Sequence, residues 1–241
     1  MTANSQVATV FAGQREVSHI GLEGLNDFND SVNLSVASFP SASNVTLFPS
    51  SVTVRPGQIS TATLSFNSSI AQDYILTITG RSDGSSHVTN VTVMVQDFNI
   101  SVSPPISPVF ADSNRTLTLF VSGINGFSGT VTLTASISPH GPTIEVTPRI
   151  VVLTPGETWD ASLTIDLPPT ISSGSYTITI NATGNGIHHR TILPLEITHP
   201  NYHTQSQFTI LGLQLLQFVA LVIFMVAAGT ILAYKKLILD R

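Results

Sequence analysis

The chain has no cysteine among its 241 residues. That excludes disulfide cross-links, a thiol nucleophile and thiolate-ligated zinc together, so any folded domain must be held by its apolar core alone. Charge is scarce as well. Charged residues make up 10% of the chain, against about 25% in ordinary soluble domains. Lysine is absent before residue 208, where six arginines face thirteen acids, a balance of −7. An acidic surface without a basic patch argues against nucleic acid or anionic lipid as a partner. Also absent are a phosphate-binding glycine loop, an HExxH pair and a Gly-x-Ser-x-Gly elbow, so the common signatures of nucleotide, zinc-protease and hydrolase chemistry are missing. A non-catalytic protein is the expectation.

What is abundant is serine, threonine, valine and isoleucine, the composition of strands with hydroxylated outer faces. The apolar period is two. Val32, Leu34 and Val36 alternate with Asn33, Ser35 and Ala37, and Tyr176, Ile178, Ile180 and Ala182 alternate with Thr177, Thr179, Asn181 and Thr183. The chain also repeats itself. Val10-Phe11-Ala12 returns as Val109-Phe110-Ala111, Gly24 to Phe28 as Gly123 to Phe127, and Pro56-Gly57 as Pro155-Gly156, each 99 residues on. The register continues through Val32/Val131, Pro40/Pro139, Pro49/Pro148 and Leu64/Leu163, then slips by three to align Tyr74 with Tyr176. Two copies of one all-β domain follow, each an antiparallel immunoglobulin-like β-sandwich with turns at Asp83-Gly84, Asn125-Gly126 and Pro155-Gly156. The expected boundaries are 5–96 and 97–198. Tyr74 and Tyr176 open late strands, where a tyrosine corner would set the hydroxyl against the preceding turn.

The entry DFNISVSP (97–104), GINGFSGTVTLTAS (123–136), VTPRIVVLTPGE (146–157) and SGSYTITINATG (173–184) together resemble the Ser/Thr-rich immunoglobulin-like repeats of archaeal and bacterial cell-surface proteins. The resemblance covers most of residues 5–198 and implies domain type rather than ligand, since such repeats serve as stalks, adhesive arrays and appendages of secreted enzymes. The first copy departs from it at Asp27-Phe28-Asn29-Asp30, where the second has Gly126-Phe127-Ser128-Gly129. Subtracting 99 from the entry strand Asp97–Ser103 places its counterpart at −2 to 4. The expectation is therefore that residues precede Met1 and that the chain is the C-terminal part of a longer exported precursor; a tail-anchored protein with cytoplasmic domains is the alternative.

The one long hydrophobic run is Phe208–Tyr234, uncharged and followed by Lys235 and Lys236. It is long enough to cross a hydrocarbon core of about 30 Å as a helix, and the trailing lysines place the tail 235–241 inside and the sandwiches outside, behind a polar spacer at 199–207. The lipid bilayer is then one partner, with other surface proteins or glycans as further candidates. Gln214 and Gln217, with the small pair Gly229 and Ala233, are candidates for helix pairing within that span.

Glycosylation sequons occur at Asn29, Asn33, Asn44, Asn67, Asn90, Asn99, Asn114 and Asn181. Of these, Asn33, Asn44, Asn90, Asn99 and Asn181 take the outward parity of their strands, where a glycan would not enter the core. Metal ligation is not expected. His188 and His189 are adjacent on a strand and so point to opposite faces, His199 and His203 sit in the spacer, and the loop carboxylates Asp27, Asp30 and Asp83 form no calcium ladder. No cofactor is expected. Trp159, the only tryptophan, fits core or rim packing better than a sugar platform. The functional expectation is a membrane-anchored surface stalk. An adhesin or carbohydrate-binding module, and an accessory subunit of a membrane complex, are the alternatives.

Overall fold

The computed structural model describes residues 1–42, 44–106, 108–199, 217–228 and 230. Met1–Thr198 form one compact unit and His199–Arg241 a second. In chain order the first unit contributes β1 (Thr2–Ala3), β2 (Val7–Phe11), β3 (Arg15–Glu23), β4 (Asp30–Phe39), β5 (Asn44–Phe48), β6 (Ser51–Val54), β7 (Ile59–Asn67), β8 (Asp73–Ser82), β9 (Ser85–Ser103), β10 (Val109–Phe110), β11 (Ser113–Ile124), β12 (Gly129–Ser138), β13 (Thr143–Thr147), β14 (Ile150–Leu153), β15 (Thr158–Leu167), β16 (Gly174–Gly184) and β17 (Ile187–Thr198).

A four-stranded sheet β1-β3-β7-β5 and the run β9-β8-β4-β6, edged by β2, enclose one core. The run β13-β15-β11-β9 and the sheet β10-β17-β16-β12-β14 enclose a second. Both are immunoglobulin-like, with antiparallel ladders and one short parallel edge each, β2 on β9 and β10 on β17. The repeat is reproduced pair by pair. Thr2 faces Gly21 as Ser101 faces Phe120, Arg15 faces Asn67 as Asn114 faces Asp166, and Val32 faces Val52 as Val131 faces Val151. After β7 and β15 the offset becomes 102, so that Tyr74 faces Val93 as Tyr176 faces Leu195. The three extra residues lie in the connection between β15 and β16.

Strand β9 belongs to both sandwiches, and through it two sheets merge into one of eight strands. Its buried positions are Val91, Val93 and Val95 in the leading half and Phe98 in the trailing half, with Ile100 and Val102 partly buried. The core-facing parity thus changes from odd to even at Gln96-Asp97. Because successive strand residues point to opposite faces, the second core lies on the opposite face of the continuous sheet from the first.

Local details follow from residue type. Asn125 and Gly126 turn with φ of 52° and 78° and close an Ile124 to Phe127 hydrogen bond. The first copy makes the same turn with Asn26 and Asp27 at 51° and 60°, Phe28 N donating to Leu25 O. Asn and Asp tolerate this left-handed backbone well enough to replace the Asn-Gly pair, so the departure in sequence is no departure in structure. The tyrosine corners are made: Tyr74 OH lies 2.8 Å from Ser68 Oγ, and Tyr176 OH donates to Ser172 O at 3.1 Å.

Most of the expected membrane span lies outside the described residues. Residues 217–228 are helical, and no helix among the described residues is long and apolar enough to cross a membrane, because such a crossing needs about 20 residues. The rest of Phe208–Tyr234 apart from Thr230, with Gln214, Gly229 and Ala233, lies outside the described residues, as do Lys235, Lys236 and residues 200–207 of the spacer, including His203.

Candidate functional site

The richest cluster of specific contacts is where the two sandwiches meet. Their joint begins with β9 itself, which carries no Gly, Pro or Ser run between Val95 and Phe98. Around it, side chains from one copy reach backbone carbonyls of the other. Gln96 Nε2 donates to Gly126 O at 3.0 Å and Gln14 Nε2 to Asn185 O at 2.8 Å. Asn125 Nδ2 donates to Val95 O and to Asp73 Oδ1, both at 2.9 Å. Both hairpin turns of the second copy that face the first are therefore tied to it.

Beneath these polar ties sits an aromatic plug. Phe98 is fully buried, its ring 5.3 Å from Phe127 and 4.8 Å from His189, and Phe11 of β2 closes over Phe127 edge-on at 5.8 Å. Such edge-to-face pairs add to area burial. His189 Nε2 in turn contacts Asp97 Oδ1 at 2.7 Å, and Phe98 N donates to the same oxygen at 2.7 Å. One carboxylate thereby fixes both the histidine and the start of the entry strand. At Gly184 an added Cβ would come within 2.9 Å of the backbone oxygen of Thr130 and 3.4 Å of Phe98 Cε1, so it is the close approach of the facing strand's carbonyl that favours glycine here, beside the ring.

The other singled-out residues are dispersed. Asn29, Asn33, Asn44, Asn90, Asn99, Asn114 and Asn181 are exposed, with Asn67 half-buried. Asn67 Nδ2 donates to Gly13 O at 2.8 Å and Gln14 O at 3.0 Å, and the Asn114 amide, oriented to suit its neighbours, donates to Asp166 Oδ1 and Ser113 O. Asp30 Oδ1 accepts from Ser31 N, and Asp27 and Asp83 sit in turns. Among the described residues no three His, Asp or Glu side chains gather as a metal site would require. His188 Nδ1 lies 3.3 Å from Thr183 Oγ1, so it and His189 serve different neighbours. Gln217 is exposed on its helical stretch.

Trp159 stands opposite Val121 at the start of β15 and is 41% exposed, a rim position. Next to it, the Glu157 carboxylate accepts from Thr154 Oγ1 at 2.6 Å and Thr154 N at 3.2 Å across the Pro155-Gly156 turn. These bonds, with a further one from Trp159, hold its carboxyl below the ordinary glutamate value. Nothing in this arrangement supplies a nucleophile with a base.

The sequence reading missed the His189–Asp97 pair and the plug around Phe98. The available signal was Asp97-Phe98 heading the second copy, together with His87 and His189 at the 102-residue offset.

No family model matches the chain, and no curated protein matches it. Solved structures similar to it include the Streptococcus agalactiae AgI/II polypeptide BspA C-terminal domain, with 10% identity over 79% of this chain and 95% of that one at a TM-score of 0.45. The D0-D1 domain of intimin is 12% identical over 80% of this chain and 96% of that one, at a TM-score of 0.30. Domains 4 and 5 of the S-layer protein SbsC are 15% identical over 69% of this chain and 70% of that one, at a TM-score of 0.31.

Proposed function

We propose that the chain is a non-catalytic cell-surface stalk, with two sandwich domains at 5–96 and 97–198 held outside a membrane by a span at 208–234 and several outward asparagines carrying glycans. The single observation that carries the stalk reading is β9: one unbroken 19-residue strand shared by both sandwiches, with side-chain ties on either side of it. A flexible tether between binding domains has no need of such a joint, whereas a spacer that transmits position does. The uncharged run ending in Lys235-Lys236 supports the anchor.

The test uses the full-length chain in membranes. Spin labels at exposed sites on the two sandwiches should give a narrow distance distribution, which a Gly-Gly-Ser insertion between Gln96 and Asp97 broadens. A wild-type distribution as broad as that of the insertion variant refutes the stalk. In parallel, wild type should stay with carbonate-washed membranes and a variant lacking 208–234 should not. The exposed rim position of Trp159 favours one second reading, a carbohydrate-binding module, for which glycan-dependent quenching of Trp159 fluorescence is the direct check.

A further inference from the structure

Both turns of the second copy that face the first carry asparagine followed by glycine. Asn125-Gly126 follows β11 and Asn185-Gly186 joins β16 to β17. In each pair both residues are left-handed, with φ of 52° and 78° in the one and 50° and 77° in the other. The dipeptide serves the turn, because both residue types accept positive φ. It also has a chemistry of its own. Glycine leaves its own amide nitrogen unshielded, so that nitrogen is able to attack the side-chain carbonyl of the asparagine before it. The first copy holds the internal comparison: Asn26-Asp27 has the same backbone, at 51° and 60°, but there the residue after asparagine carries a side chain.

What sets Asn125 apart is where its amide points. Its Nδ2 donates to Val95 O and to Asp73 Oδ1, both at 2.9 Å, across the joint. A carbonyl and an ionised carboxylate only accept, so the group that faces them must be a donor. Asn185 Nδ2, by contrast, donates to Ser128 O at 3.1 Å, within its own copy. Asn125 is half-buried and Gly126 exposed, and among the described residues Gly126 N donates to no acceptor. The attacking nitrogen is therefore free while the amide it would attack is restrained. Reaction proceeds from the fraction of molecules in which the tie has opened locally.

We propose that Asn125 is a self-modification site whose product unlocks the joint between the two sandwiches. Gly126 N loses its proton and bonds to Asn125 Cγ, the Cγ–Nδ2 bond breaks, and ammonia leaves as a succinimide ring closes. Water then opens the ring. Cleavage between Cγ and the nitrogen gives aspartate; cleavage at the Asn125 backbone carbonyl gives isoaspartate, with the chain running through the side-chain carbons. The net reaction consumes water, releases ammonia and changes no oxidation state. Either product removes the amide donor and adds a negative charge beside Asp73, where like charges at close range repel. Isoaspartate also lengthens the turn that Phe127 N closes on Ile124 O. The change runs one way, so molecules loosen at this joint as they age. The inference goes beyond the stalk reading and does not need the membrane anchor.

The test ages the full-length chain in mildly alkaline buffer, with spin labels on the two sandwiches, and maps its peptides at intervals. Aspartate and isoaspartate should accumulate at 125 and 185 while Asn26 keeps its amide, and the distance distribution should broaden in step with conversion at 125. In freshly prepared chains, Asn125→Asp should broaden the distribution and lower the melting temperature from the start. Asp73→Asn added to it sets a donor against the new carboxylate and should recover both. Asp27 shows that aspartate accepts this backbone, and a turn that had merely misfolded would not be rescued. Asn185→Asp should leave the distribution narrow. Equal conversion at Asn26 and Asn125 overturns the proposal, as does an Asn125 that keeps its amide after Asn185 has fully converted. So does an Asn125→Asp chain that melts with wild type, a double variant no better than the single one, or an equal effect of Asn185→Asp. A wild-type distribution that is already broad removes the stalk reading alone, and the peptide maps and melting temperatures then decide this one.

Discussion

Asn125 donates its amide to the Asp73 carboxylate at 2.9 Å across the joint, while also holding Val95 O at 2.9 Å. A turn of the second copy is thereby fastened to β8 of the first. Asp73 is exposed and makes this contact from a strand end, so Asp73→Ala removes the tie without disturbing a core. Together with Gln14→Ala, which removes the bond to Asn185 O, it should cost no more than about 1 kcal/mol per bond in stability. It should nevertheless broaden the distance distribution between labels on the two sandwiches. Unchanged breadth would mean that β9 and the aromatic plug alone fix the joint.

Phe127 and Phe28 are the same residue of the repeat in different surroundings, the one fully buried and the other half-buried beside a cavity. Phe127→Ala should cost about 3–5 kcal/mol, the usual range for a buried phenylalanine. Phe28→Ala should cost clearly less, because it deletes fewer contacts and leaves a space already open to solvent. Chemical denaturation of the two variants checks the difference. Equal losses would show that Phe28 is as well packed in solution as Phe127.

Much of this architecture was legible in the sequence because its signals are local and periodic. Alternation at Val91, Val93 and Val95 gives the inward face, the 99-residue echo gives the two copies, and the tyrosines that open YILTITG and YTITINATG give the corners. The parity change from Val95 to Phe98 was written there too, and with it the switch of the core to the other face of the sheet. Contacts that depend on three-dimensional approach were not legible. Nothing local marks Asp97 as the partner of His189, 92 residues away, or Gln14 as a donor to Asn185. The turn at Asn26-Asp27 was obscured for a different reason: two residue types support one backbone conformation, and comparison by letter counts that as a difference.

Glu157 gives a pH prediction. Its carboxylate accepts from Thr154 and its pKa is lowered, chiefly by the Thr154 hydroxyl and then by the Thr154 amide. A depressed folded-state value means that the ionised form favours the folded turn. The contribution is present above the unfolded pKa and is lost as pH falls through the folded one. Trp159, the only tryptophan, lies two residues away, so its emission should report the step, with a midpoint below that of a free glutamate. Glu157→Gln should remove the step and leave the rest of the titration unchanged. A midpoint at or above the free value would contradict the bond to Thr154.

The sequons divide by what their amides already do. Asn90 and Asn181 are exposed on strands whose neighbours Val91, Ile180 and Ala182 are buried, so a glycan there stands in solvent and leaves the core untouched. Asn67 has both amide hydrogens engaged, with Gly13 O and Gln14 O. A glycan replaces one of those hydrogens, which forfeits a hydrogen bond worth about 0.5–1.5 kcal/mol and pushes a bulky group against the β2–β3 turn. In a host able to glycosylate such sites, peptide mass spectrometry should therefore find hexose-bearing Asn90 and Asn181 with Asn67 bare. Asn67→Ala should destabilise the fold even without glycosylation, whereas Asn90→Ala should be close to neutral. Occupied Asn67 beside bare Asn90 would mean that access during synthesis, rather than the folded surface, decides which asparagines are modified.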